Sequence, residues 1–177
     1  RIRKSCDLII NNSNIRKAFI LANQSMFDQI SLSRKISSIR KDRLDNKDLS
    51  NSQKWPISFN DKIEINIDLQ FEKSNNKWRP FQLAFALVVL ESLENQNNLD
   101  FESEVVDLIW FSTGGGKTEA YLLVAAYEIF RRRLEWKELG YGTSIITRYT
   151  YRFLTADQFI RTSRQICAME KIRVKNQ

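Results

Sequence analysis

The sequence contains no histidine. Within this chain, that excludes Ser-His and Cys-His nucleophilic catalysis and any metal site built on imidazole. Cysteine is nearly as scarce, with only Cys6 and Cys167 and no CxxC. That is neither a zinc pattern nor a secreted disulfide framework; it points to structural thiols in a reducing cytoplasm. No apolar run approaches the roughly 20 residues of a membrane span, so no membrane partner is expected. The opening "RIRKSCDLII" has a basic end but too short an apolar stretch for a signal peptide. Its first residue is arginine, not methionine, which hints at a piece of something longer.

What is present suggests one domain, or one domain with an extension. The chain has 177 residues, is 42% hydrophobic, and carries a formal net charge of +7. A basic balance of this size fits a nucleic-acid partner; a lysine-rich surface is the alternative reading of the charge. From 14 to 30, Ile15, Phe19, Ala22, Met26 and Ile30 recur every three or four residues, the spacing of an amphipathic helix. Residues 31–53 are rich in Ser, Asn, Asp, Lys and Arg and read as a charged connector. "KIEINIDLQF" alternates: Ile63, Ile65, Ile67, Leu69 and Phe71 share one face of a half-buried strand. Glu64 and Asp68 fall on its wet face. "WRPFQLAFALVVLESLE" predicts a helix to about Glu94, with Pro80 in its first turn.

Next, "EVVDLIWF" has the length and apolar content of a buried parallel strand. Three glycines follow, then a long helix, "KTEAYLLVAAYEIFRRRLEW", expected to lie against a sheet. "KELGYG" turns the chain, "TSIITRY" reads as another strand, and "FLTADQFIRTSRQICAMEKIR" as another helix. This order predicts an α/β fold with a parallel sheet.

The stretch "WFSTGGGKTEAY" carries the strongest chemical signal. Its end, Gly116-Lys117-Thr118, matches the close of the phosphate-loop pattern GxxxxGK[ST], while Phe111 stands where glycine or alanine is usual. Gly114, Gly115 and Gly116 let the backbone curl with its N–H groups inward. Together with the helix N-terminus, those groups would make an anion nest. Lys117 can reach β- and γ-phosphates, and the Thr118 hydroxyl can take one place on Mg²⁺. The bland alternative is a flexible glycine turn.

These residues resemble motif I of the superfamily 2 helicases. "WRPFQ" resembles that superfamily's Arg-x-x-Gln adenine element, and "TRYTYRFLTADQF" its motif Ia. More narrowly, "ANQSM", "WRPFQLAF", "VDLIWFSTGGGKTEAYL", "RYTYRFLTADQF" and "ICAME" together resemble the DrmA helicase family of the DISARM phage-defence system, from about Ala18 to Glu170. Ser112 stands where proline is common, and Asp157 where glutamine is common. The resemblance implies an incomplete RecA-like nucleotide-binding domain over 77–177, stopping after motif Ia, preceded by a helical and β accessory segment over 1–76. It implies ATP and Mg²⁺ as cofactors, with Arg79, Gln82, Thr113, Gly114, Gly115, Gly116, Lys117 and Thr118 around the nucleotide. Lys117 and Thr118 would serve the chemistry, and Thr118 the metal. It also implies Arg148, Thr150 and Arg152 on a nucleic-acid backbone, DNA before RNA. Other implied partners are a second motor domain and further defence-system proteins.

Hydrolysis needs more than a cradle. A carboxylate pair normally completes the Mg²⁺ shell and positions water. No adjacent Asp-Glu occurs in this chain, and Asp107 precedes the loop. The expected function is therefore the ATP-binding portion of a helicase or translocase that does not turn ATP over by itself. A non-catalytic nucleic-acid- or partner-binding piece is one alternative. A phosphate-loop phosphotransferase is another, but no acceptor site for it is visible.

Overall fold

Residues 1–55 contain neither glycine nor proline, so no strong helix breaker interrupts them. The computed structural model describes residues 1–45, 76–95, 106–112, 114–148 and 152–176. Helix α1 spans Ile2–Asn11 and α2 spans Ser13–Asp45. Asn12 serves both. Its backbone N–H donates to Leu8 O, closing α1. Its Oδ1 accepts from the N–H groups of Asn14 and Ile15, at 2.9 and 3.2 Å, opening α2. The connector expected from residue 31 is helical as far as Asp45. Its lysines, arginines and leucines are good helix formers.

Helix α3 spans Pro80–Glu94 and α4 spans Lys117–Trp136, both with the expected bounds. A 3₁₀ turn, Lys137–Gly140, follows α4, and α5 spans Arg152–Lys175. The 3₁₀ turn lies very close to α4: a Cβ on Gly140 would stand 2.6 Å from Arg132 O, so only glycine fits there. Two units can be distinguished. Arg1–Met26 and Lys77–Gln177 form one, and Phe27–Asn76 the other. In the second unit, the described part of α2 carries a Ser37 hydroxyl that donates to Ser33 O at 2.9 Å.

The core of the first unit is a helix-on-helix contact. Ile15, Ala18, Ala22 and Met26 of α2 join Ala86 and Leu90 of α3, Leu123, Ala126 and Tyr127 of α4, and Met169 and Ile172 of α5. α1 lies on α3, where the buried Ser5 hydroxyl donates to Leu87 O at 2.5 Å. The Trp78 indole N–H donates to Asn23 Oδ1 at 2.7 Å, fixing the entry to α3 against α2.

The expected parallel sheet is not found. Among the described residues there is no strand, so the RecA-like α/β architecture is corrected to a helical one. Residues 106–111 and 143–148 run without helix or ladder pairing. Val106 is 88% exposed, Trp110 89% and Ile146 81%, which is the reverse of a buried strand. A parallel strand is stable only when neighbours take its backbone N–H and C=O groups. An apolar run records a capacity for burial without saying which surface supplies it. α4 is covered by α3 and α5 rather than by a sheet. The alternating stretch 62–71, with Glu64 and Asp68, lies outside the described residues. Among the described residues, no helix is long and apolar enough to cross a membrane.

A buried charge cluster joins α3 to α4. Arg131, with only 7% of its side chain exposed, pairs with Glu128 at 2.8 Å, with Glu94 at 3.5 Å, and with Glu135 at 3.1 Å. The Tyr127 hydroxyl donates to Glu94 Oε1 at 2.6 Å. Burial raises the Glu94 carboxyl above the usual carboxylate range, outweighing the opposing pull of Tyr127 and Arg131. Burial and Glu94 together push the Tyr127 phenol up.

Two outcomes are expected. Arg131→Ala strands buried carboxylates and should cost about 3–5 kcal/mol in denaturant unfolding. Because the folded state raises the Glu94 pKa, its stabilising contribution is complete below the ordinary carboxylate range and declines as pH climbs through the raised value. Thermal melts of Glu94→Gln across that interval should therefore vary less with pH than those of the unaltered chain.

Candidate functional site

The glycine loop runs from the extended segment 106–112 into α4. Gly114 and Gly116 have φ of 77° and 92°, the left-handed region that glycine enters without penalty. The Gly115 N–H donates to Ser112 O at 3.1 Å, closing the turn. Gly116 is the N-cap of α4, which places Lys117 at its first helical position.

Two side chains from the start of α3 grip this loop. Arg79 Nη1 donates to Gly115 O at 2.7 Å, and Gln82 Nε2 donates to Gly116 O at 2.7 Å. The other end of the same amide, Gln82 Oε1, accepts from the Arg79 N–H at 2.9 Å and caps α3. The buried Gln82 is thus engaged at both ends. The structure brings Arg79, Gln82, Gly115, Gly116 and Lys117 into one cluster. In it, Arg79 and Gln82 hold the loop backbone.

The Lys117 ammonium donates to Phe111 O at 2.5 Å and to Ser112 O at 3.3 Å, so the loop curls around it. Phe111 stacks on Phe81 with ring centroids 3.8 Å apart and planes 15° apart. That contact gives the residue that departs from the usual glycine or alanine a packing role, tying the loop's approach to α3. Thr118 is half-buried and lines a groove of about 460 Å³ between α4, α5 and residues 143–147. Tyr121, Ile145 and Ile166 line the same groove. Thr113 lies outside the described residues.

The motif Ia candidates are less gathered. Arg148 is exposed at the end of the extended segment 143–148. Thr150 falls outside the described residues, as does the side chain of Arg152, the first residue of α5. No group of His, Cys, Asp or Glu among the described residues could hold a metal ion. Both cysteines are free.

Two contacts had not been anticipated. Arg1 reaches from the start of α1 to Asp107, with Nη1–Oδ1 at 2.6 Å and Nη2–Oδ2 at 3.1 Å, and to Glu91 Oε2 at 3.0 Å. It also donates to Val88 O at 2.9 Å and to Ser92 Oγ. This fork ties the segment before the glycine loop to α3 and accounts for Asp107. The second contact is at Glu119, in the first turn of α4, whose Oε1 accepts from Arg161 Nη1 of α5 at 2.7 Å. In both cases the only trace in the sequence is opposite charge at long separation, which does not specify pairing.

Chemically, the cluster offers an ammonium and a helix N-terminus beside a tight glycine turn. These are the elements of an anion site. Gly116 is its most constrained residue: an added Cβ would stand 2.6 Å from Gln82 Nε2, on a backbone conformation unfavourable to alanine. Gly116→Ala is expected to lower stability by about 1–2 kcal/mol from the left-handed backbone alone. On a Gln82→Ala background, which itself loses the cap and the loop contact, Gly116→Ala should add the backbone cost without the collision. Denaturant midpoints of the single and double variants test this separation.

No protein-family model and no solved structure matches the chain. A curated protein does: DISARM protein DrmA of Bacillus paralicheniformis, 37% identical over 183 residues. The match takes in 99% of this chain and 14% of that relative, so the chain spans about one seventh of the protein it resembles. Across nearly its whole length, then, this chain is similar to a stretch of DISARM protein DrmA.

Proposed function

We propose that the chain is an ATP-binding portion of a nucleic-acid helicase or translocase that works in phage defence. The observation that carries this reading is the glycine loop, curled around Lys117 at the mouth of α4 and gripped by Arg79 and Gln82. Its similarity to DISARM protein DrmA supports the defence setting.

In this reading, a triphosphate replaces loop carbonyls as the partner of Lys117. The ammonium exchanges Phe111 O and Ser112 O for phosphate oxygens. The Gly115 N–H, now on Ser112 O, becomes available to the anion. Gln82 would turn its amide to the adenine edge, releasing Gly116 O, while Arg79 keeps the loop on α3. Thr118 would offer its hydroxyl to Mg²⁺, which would supply charge neutralisation to the triphosphate. Arg148, Thr150 and Arg152 would hold a nucleic-acid backbone, DNA in preference to RNA, by contacts that carry no sequence information. A second motor domain and other defence proteins are the remaining proposed partners.

The lack of an adjacent Asp-Glu in the sequence, noted above, supports binding without turnover by this chain alone. The binding-only alternative draws on the same lack and on the net charge of +7.

Titration calorimetry with ATP and Mg²⁺ tests the reading. Uptake is expected, with affinity falling about 10- to 100-fold in Lys117→Ala, the loss of one charge-assisted contact. An unchanged affinity in that variant refutes the cradle. Oligonucleotide binding with no ATP uptake would favour the binding-only piece. Binding to oligodeoxythymidine should also weaken as salt rises, and Arg148→Ala should reduce the logarithmic slope by about 0.7.

A further inference from the structure

Glu119 occupies the third position of α4, two residues beyond Lys117. Its two carboxylate oxygens face different structures. Oε1 accepts from Arg161 Nη1 at 2.7 Å. Oε2 lies 3.5 Å from the point where a Cβ on Gly116 would stand, beside the left-handed glycine. On α5, Arg161 is braced one turn back by Asp157, with Nε–Oδ2 at 2.9 Å. Glu119 thus stands beside the glycine loop on one side and, through Arg161, is bonded to the N-terminal half of α5, the helix that opens at Arg152.

We propose that Glu119 and Arg161 form a positioning pair that couples occupancy of the glycine loop to the placement of α5, and so to polyanion binding at its N-terminal end. The inference rests on the nucleotide and nucleic-acid reading above. The physical reason is charge. A triphosphate at the loop brings negative charge close to the Glu119 carboxylate, and like charges at such separations repel. Arg161 is the cation in contact with that carboxylate. Its hold on Glu119 offsets the repulsion, so a bound phosphate strengthens the bridge and restrains α5. Linkage makes the effect reciprocal: a polyanion that favours the α5 placement with Arg161 on Glu119 eases phosphate binding by the same factor. The pair is partly exposed, at 36% and 26%, so a coupling at the lower end of the usual range is expected, about fivefold.

The test measures the affinity of the full chain for fluorescent oligodeoxythymidine, with and without a non-hydrolysable ATP analogue and Mg²⁺. The ratio of the two dissociation constants is the readout. In the unaltered chain the analogue should tighten binding about fivefold. Glu119→Gln and Arg161→Gln should bring the ratio to one while each ligand still binds. Arg161→Lys should recover part of it, and Asp157→Asn should retain most. Thermal melts confirm that each variant is folded, as partly exposed substitutions allow. A purely structural role would shift the melting temperature and leave the ratio alone. Unaltered ratios in Glu119→Gln and Arg161→Gln, with both ligands bound, overturn the coupling but spare the nucleotide reading. Failure of the unaltered chain to take up the analogue overturns both.

Discussion

Two backbone carbonyls, Gly115 O and Gly116 O, hold the glycine loop on α3 by accepting from Arg79 and Gln82. The same Gln82 side chain that holds the loop also caps its own helix. These bonds explain why Gly116 cannot carry a side chain, since the Gln82 amide fills that space. They also place Lys117 at the mouth of α4, where the loop closes on its ammonium. The local order is therefore set by hydrogen bonds between two helix starts and one turn, with the Phe81–Phe111 stack packing the same junction.

Around that junction, the first unit is a set of helices sharing one apolar core. Three arginines within it meet carboxylates. Arg131 answers the carboxylates buried between α3 and α4, Arg1 answers Asp107 and Glu91, and Arg161 answers Glu119 and Asp157. Each arginine joins two segments: Arg1 ties α1 to α3 and to residue 107, Arg131 ties α4 to α3, and Arg161 ties α5 to α4. The glycine loop benefits from all of them: Arg1 fixes its approach, Arg131 fixes the helix beyond it, and Arg161 fixes the helix beside it.

Much of the helical content was legible in the residues. Pro80 at a first turn and an apolar run to Glu94 mark α3, and the glycine loop followed by twenty residues without a breaker marks α4. α1 was not legible. It is ten residues long, and its buried position is a serine, whose hydroxyl needs Leu87 O to be tolerated inside. The continuation of α2 was misread because charged, polar composition resembles a connector, yet lysine, arginine and leucine also propagate a helix. The two apolar runs read as strands failed for a different reason. Sheet formation is a property of pairs of segments, and residues 106–111 and 143–148 do not pair.

The sequence by itself determined the glycine loop, the lysine that follows it, and the helices on either side. Those features depend on local backbone freedom and local propensity. Tertiary structure alone decided what the loop touches: that Arg79 and Gln82 close on its carbonyls, that Phe111 stacks on Phe81, and that Glu119 meets Arg161. Among the described residues, it also decided that the helices α3 and α5, rather than strands, pack on α4. A side chain's chemistry fixes the partners it can accept, but only the packing of distant segments brings one of them within 3 Å.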